Sequence, residues 1–219
     1  DYPGKLAATV FTGGCNLRCP FCHNALLVTR LAETPEIPEQ EVLDFLASRR
    51  GLLDGVVLTG GEPLLQPDAA DFLRKVRELG FAVKLDTNGC DPARLAEILD
   101  RGLVDYVAMD VKNAPARYAE TVGVPDFDLA PVEESIRLLR KSTVDYEFRT
   151  TLVRELHRPE DLDAIAAWLA GSPRYYLQNF VDSGNLIGRG YHGFTAEELR
   201  GFAERVRPFF GAVELRGVD

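Results

Sequence analysis

The sequence predicts an α/β fold built on a parallel sheet. Three observations carry that prediction. Strand-like and helix-like segments alternate along the whole chain. Several strand-like segments are short apolar runs rather than alternating ones, as expected where both faces of a parallel sheet are covered. The strand–helix units recur at about 30 residues, the spacing of parallel crossovers. Six such units fit either a doubly wound sheet or an open (β/α)6 barrel, and periodicity does not choose between them. At 219 residues the chain is read as one domain over residues 1–219.

The expected strands are residues 6–11, 55–58, 82–85, 106–109, 146–151 and 175–180. The helices between them carry clearer signals. Residues 38–50 open on a proline and stop at Gly51. Residues 68–79 place Phe72, Leu73, Val76 and Leu79 on one face and stop at Gly80. Asp91 and Pro92 read as an N-cap and first-turn proline, with Leu95, Ile98 and Leu99 following and Gly102 as terminator. Residues 131–140 carry Val132, Ile136 and Leu139. Residues 159–170 carry Leu162, Ile165, Ala166 and Leu169, ended by Gly171. Thr195 to Glu198 is a capping box, followed by Leu199, Phe202, Val206 and Phe209. Residues 24–35, 113–130 and 182–194 read as irregular. The last is glycine-rich and reads as a mobile loop.

Composition narrows the function classes. Lys plus Arg is 25 and Asp plus Glu is 34, giving a net charge of −9. No basic footprint for nucleic acid is visible. No apolar run approaches the ~20 residues that span a bilayer. The chain opens on Asp1-Tyr2-Pro3-Gly4-Lys5, without a methionine or a secretory leader, which reads as a trimmed N-terminus. A cytoplasmic protein without membrane or nucleic-acid partners is expected.

Of four cysteines, Cys15, Cys19 and Cys22 fall within eight residues, and Cys90 stands apart. A tight, odd cluster is not a secreted disulfide framework. Soft thiolates at C-x3-C-x2-C spacing point to a metal centre. Structural zinc takes four ligands, usually as two separated pairs. His23 directly follows Cys22 and would strain to reach the same ion. Three thiolates on an iron–sulfur cubane leave one iron open. Spacing alone leaves both metals in play. Cys90 reads as a buried structural thiol, and His157 and His192 as loop or helix-end residues.

Further motifs close successive strands: Thr59-Gly60-Gly61-Glu62-Pro63, Leu85-Asp86-Thr87-Asn88-Gly89, Met109-Asp110-Val111-Lys112, Glu147-Phe148-Arg149-Thr150-Thr151 and Leu177-Gln178-Asn179-Phe180. Polar groups at the C-terminal ends of parallel strands line one mouth. Asp86, Asp110, Lys112 and Arg149 would meet there, either around a zwitterionic ligand or as a structural salt-bridge network.

With these residues in place, the chain resembles the radical S-adenosylmethionine superfamily. The likeness lies in Cys15-x3-Cys19-x2-Cys22 with Phe21 before the third cysteine, and in Gly60-Gly61-Glu62 at the second strand end. The segments DYPGK, GCNLRCPFCHN, GVVLTGGEPLLQ, KLDTNG, DYVAMDVK, YEFRTTLV and LQNF resemble the short activating enzymes of glycyl radical enzymes, nearest in pattern to the anaerobic ribonucleoside-triphosphate reductase type.

That resemblance implies a partial, open (β/α)6 TIM-like barrel. It implies one 4Fe–4S cluster on Cys15, Cys19 and Cys22, with S-adenosylmethionine on the open iron. Phe21, Gly60, Gly61, Glu62, Asp86, Thr87, Asn88, Asp110, Lys112, Arg149 and Gln178 become the cofactor-binding set. A monovalent cation would sit near Asp86, Thr87 and Asp110. The implied activity is oxidoreductase chemistry. Reductive cleavage gives a 5′-deoxyadenosyl radical, which takes hydrogen from a backbone glycine of a partner. No side chain acts as acid or base. The implied partners are an anaerobic (class III) ribonucleotide reductase and a flavodoxin or ferredoxin-type electron donor. The alternatives are activation of a pyruvate formate-lyase type enzyme, small-molecule chemistry of the 7-carboxy-7-deazaguanine synthase type, and a zinc-stabilised binding module.

Overall fold

A computed structural model of the chain describes residues 2–218. Seven strands run in sequential order through one open sheet: β1 (Ala7–Thr12), β2 (Gly55–Gly60), β3 (Ala82–Thr87), β4 (Tyr106–Asp110), β5 (Asp145–Leu152), β6 (Arg174–Asn179) and β7 (Ala212–Arg216). The β1–β2, β2–β3, β5–β6 and β6–β7 pairings are parallel, with Ala7 opposite Gly55 and Phe148 opposite Tyr175. The helices are α1 (Ala25–Thr29), α2 (Glu39–Ser48), α3 (Ala69–Glu78), α4 (Pro92–Asp100), α5 (Tyr118–Val122), α6 (Ala130–Lys141), α7 (Pro159–Leu169) and α8 (Ala196–Val206). The α/β parallel class is as the sequence predicts. Among the described residues, no helix is long and apolar enough to cross a membrane.

The chain forms two compact units. The first comprises residues through Asn16, Leu26–Ala108 and Pro131–Asp145. Its core holds Leu46, Val57, Leu73, Val76, Val83, Leu85, Leu95 and Leu139, all fully buried. Each such side chain contributes roughly 1.5–3 kcal/mol by leaving water. The helices start where side chains satisfy their orphan amides. Asp91 accepts a hydrogen bond from the Arg94 amide (3.0 Å), with Pro92 in the first turn of α4.

The second unit comprises Leu17–Ala25, Met109–Ala130 and the chain from Tyr146 onward. Phe148, Leu152, Ile165, Ala166, Leu169, Tyr175, Leu177, Leu199 and Val206 are buried in it. The capping box of α8 forms as expected. Thr195 Oγ1 accepts from the Glu198 amide (3.2 Å), and Glu198 Oε2 accepts from the Thr195 amide (2.8 Å).

The structure differs from the sequence expectation at three kinds of place. A seventh strand, β7, follows the last expected helix. Residues 207–209 form only a 3-10 turn beyond α8, and Gly211 then releases the chain into the alternating Ala212-Val213-Glu214-Leu215-Arg216. Residues 24–35 and 113–130 are not wholly irregular, since they contain α1, α5 and 3-10 turns at Leu31–Glu33 and Pro115–Arg117. Elements of three to five residues are too short to leave a periodic signature. Finally, β2, β3 and β4 run past their expected ends to Gly60, Thr87 and Asp110, so those motif residues are strand residues. Residues 182–194 hold neither helix nor strand.

Candidate functional site

The first unit gathers one group of candidate residues around a buried carboxylate. Gly60 ends β2 at φ +131°, a conformation that L side chains rarely adopt. The Gly61 amide donates to the Thr12 carbonyl (2.9 Å) and the Glu62 amide to the Gly14 carbonyl (2.8 Å). A Cβ on Gly61 would lie 1.9 Å from the Gly14 oxygen. The two glycines therefore let the strand end press against Gly13-Gly14-Cys15. Gln66 adds a hydrogen bond to the Gly13 carbonyl (2.7 Å).

Glu62 is 1% exposed. Its Oε1 accepts from the Leu64 amide (3.1 Å) and from Thr87 Oγ1 (2.7 Å), and its Oε2 accepts from the Asn88 amide (2.6 Å). Glu62 thus ties the end of β2 to the end of β3. Asn88 carries the network onward, its amide Nδ2 donating to Asn16 Oδ1 (2.9 Å) and lying 3.8 Å from Cys15 Sγ. Its Oδ1 accepts from the Cys90 amide (2.9 Å). Cys90 is only partly buried, where a buried thiol was expected. Asp86, two residues back, pairs with buried Lys84. Sequence reasoning missed Lys84, Asn16 and Gln66. A lysine inside the apolar run Val83-Lys84-Leu85 was the available signal.

The second unit holds Cys19, Cys22 and a charged triad. Lys112 Nζ lies 2.8 Å from Asp110 Oδ2, and Arg149 Nε donates to Asp110 Oδ1. Burial works to raise the Asp110 carboxyl, but Arg149 and Lys112 outweigh it and hold it well below the usual carboxylate range. Burial likewise works against the Lys112 ammonium. Asp110 and the Cys19 sulfur outweigh that and raise its pKa. The Lys112 carbonyl meets His157 Nε2 at 2.9 Å. Gln178 lies on β6 opposite Thr151 and Arg216. The expected His157 loop position is correct, but the ring is buried; His192 is exposed and sits 2.7 Å from Glu155.

The cysteine loop is fastened by its aromatic residues. Phe21 is buried edge-on against Phe180, at 6.5 Å between ring centroids. His23 stacks on the same ring at 5.2 Å, and its Nε2 lies 2.7 Å from the Val181 carbonyl. These two contacts hold the His23 ring against Phe180 and the Val181 carbonyl. The Gly188 amide donates to the Pro20 carbonyl (2.7 Å), so the glycine-rich stretch rests on the loop. Among the described residues, no three His, Cys, Asp or Glu side chains converge as on a single metal ion, and no disulfide joins the cysteines. The C-x3-C-x2-C spacing of Cys15, Cys19 and Cys22 supplies three soft thiols, a donor chemistry that fits an iron–sulfur cubane with one iron left for another ligand.

A family model, the Radical SAM superfamily, matches residues 9–169. The chain belongs to the radical SAM superfamily. As a radical SAM protein it uses a 4Fe–4S cluster and S-adenosylmethionine.

Relatives of this radical SAM chain span several chemistries. A protein of Methanocaldococcus jannaschii that bears the name glycyl-radical enzyme activating enzyme is 37% identical over 188 residues, covering 82% of this chain and 75% of the relative. The 7-carboxy-7-deazaguanine synthase of Methanopyrus kandleri is 32% identical over 173 residues, covering 70% of this chain and 65% of the synthase. Among solved structures, SuiB of Streptococcus suis with S-adenosylmethionine bound superposes with a TM-score of 0.74 at 17% identity. That likeness shows the fold; it covers 97% of this chain but spans only 50% of the SuiB chain.

Proposed function

We propose that this radical SAM enzyme activates a glycyl radical enzyme, and that its partner is an anaerobic ribonucleotide reductase. The observation that carries the proposal is the loop that sets three thiols at C-x3-C-x2-C spacing, Cys15, Cys19 and Cys22. When bound, the cluster and S-adenosylmethionine supply a deoxyadenosyl radical that takes hydrogen from a backbone glycine of the partner. The likeness to a glycyl-radical activating enzyme over 82% of the chain supports that choice of substrate.

The chain's own residues would bind and orient. Gly60 and Gly61 give backbone room beside Cys15. Glu62, Thr87 and Asn88 form a stiff hydrogen-bonded floor, and the Asp86 strand end stands beside it. Asp110, Lys112 and Arg149 present fixed charges to a zwitterionic cofactor. Phe21 and Gln178 complete the cofactor set. A flavodoxin or ferredoxin-type protein in the cytoplasm would supply the electron. A second reading, small-molecule chemistry, is favoured by the likeness to 7-carboxy-7-deazaguanine synthase.

Electron paramagnetic resonance separates these readings. The protein is reconstituted anaerobically, reduced, and incubated with S-adenosylmethionine and purified candidate partners. A glycyl doublet on anaerobic ribonucleotide reductase is the expected result, absent with Cys19→Ala. A doublet only on a pyruvate formate-lyase type enzyme reassigns the partner. Turnover of a small molecule with no protein radical overturns the activase reading.

A further inference from the structure

Lys84 lies in the middle of β3 between Val83 and Leu85 and is fully buried. Its Nζ meets Asp86 Oδ1, with the two side chains 1% and 10% exposed. Residues two apart on a strand share a face, so the order Lys84-Leu85-Asp86 presets the pair. The next two residues, Thr87 and Asn88, are those that hold the Glu62 carboxylate. A buried lysine is rarely kept without a paired charge. Here it stands at the strand end assigned to the cofactor and has no part in the proposed chemistry.

We propose that Lys84 is a positioning residue whose ammonium serves as a built-in countercation for Asp86, making this strand end independent of dissolved monovalent cations. The assignment of the strand end to S-adenosylmethionine rests on the radical SAM reading; the charge argument does not. A buried carboxylate needs a partner charge or it destabilises the fold. A tethered ammonium is a compact point charge that need not be recruited from solution. Asp110 is served in the same way by Lys112 and Arg149. Both carboxylates expected to shape a monovalent-cation site therefore already hold protein cations. Without the Lys84 charge, the Asp86 carboxylate is left to attract a dissolved ion such as potassium, sodium or ammonium.

The test compares wild type, Lys84→Met, and Lys84→Met/Asp86→Asn as reconstituted holoprotein. Each is studied in tetramethylammonium chloride and in potassium or sodium chloride at equal ionic strength. Thermal unfolding and equilibrium binding of S-adenosylmethionine are the two readouts. Wild type is expected to melt and bind alike in all three salts. Lys84→Met is expected to melt roughly 10 °C lower in tetramethylammonium and to regain stability and cofactor affinity with potassium or sodium. The double variant, having lost both charges, is expected to fold and to ignore the salt. If Lys84→Met melts lower in tetramethylammonium and is restored by a small cation while the double variant ignores the salt, the proposal stands. It is overturned if wild type needs potassium or sodium, or if Lys84→Met matches wild type in tetramethylammonium. It is equally overturned if neither variant folds in any salt, which would make Lys84 a packing residue. A holoprotein that binds no S-adenosylmethionine would defeat the cofactor reading alone, because melting still decides the role of Lys84.

Discussion

The His157 ring accepts a hydrogen bond from the Val153 amide at Nδ1 (3.1 Å) and faces the Lys112 carbonyl with Nε2 (2.9 Å). One neutral tautomer, protonated at Nε2, satisfies both contacts. Burial pushes the imidazole pKa down. The unfolded chain therefore binds a proton more readily than the folded one below about pH 6.5. Stability from this group is whole above that value and is lost as pH falls toward the depressed folded pKa. Urea unfolding at pH 7.5 and 5.5 should show lower stability at 5.5, and His157→Gln should flatten the difference. An unchanged slope would mean that other groups set it. The C-x3-C-x2-C spacing of the three cysteines was legible because spacing is a local property. Lys84 and the depth of His157 were not, because burial is decided by segments far away in sequence. Nor was it legible that the Glu62 carboxylate would hold Leu64, Thr87 and Asn88 together.

At the scale of elements, the turn after β2 is set by close approach. Because a Gly61 Cβ would lie 1.9 Å from the Gly14 oxygen, Gly61→Ala must displace the backbone that leads into Cys15. The expected result is a soluble protein with much less iron after reconstitution, read by iron and sulfide analysis. Gly201→Ala is the control: it lies inside α8 with nothing within 4 Å, and should stabilise by about 0.5–1 kcal/mol. Iron loading equal to wild type in Gly61→Ala would show that the turn does not govern the cysteine loop. The capped helices α4 and α8 were readable because Asp91, Thr195 and Glu198 sit at fixed offsets from their amides. The short helices α1 and α5 were not, since one turn buries too few residues to impose a pattern. The strand β7 was hidden for another reason. Its five residues carry Glu214 and Arg216, so they read as a polar tail until a neighbouring strand is known.

For the whole molecule, the order β1 to β7 means that each strand is laid beside the one before it. The class was legible from the strand–helix alternation; the seventh strand was not, because its pairing with β6 depends on tertiary contacts. The last strand is secured from a distance. Arg216 makes a two-pronged ion pair with Glu147 on β5 (2.8 and 3.0 Å) and stacks its guanidinium 3.7 Å from the Tyr176 ring centroid. Glu147 is fully buried and Arg216 31% exposed. Arg216→Ala removes the guanidinium from a buried carboxylate and should cost about 3 kcal/mol in urea unfolding. A cost below about 1 kcal/mol would show the pair to be worth no more than a surface one. A similar reach back along the chain fastens the cysteine loop. The Arg18 amide bonds to the Val122 carbonyl, Pro20 holds Gly188, and His23 meets Val181, a residue 158 positions later. None of these partners exists when the ribosome first releases the cysteines. The contacts that fasten the loop are complete only once synthesis has passed Gly188, so the cysteines are made long before the chain that holds them in place.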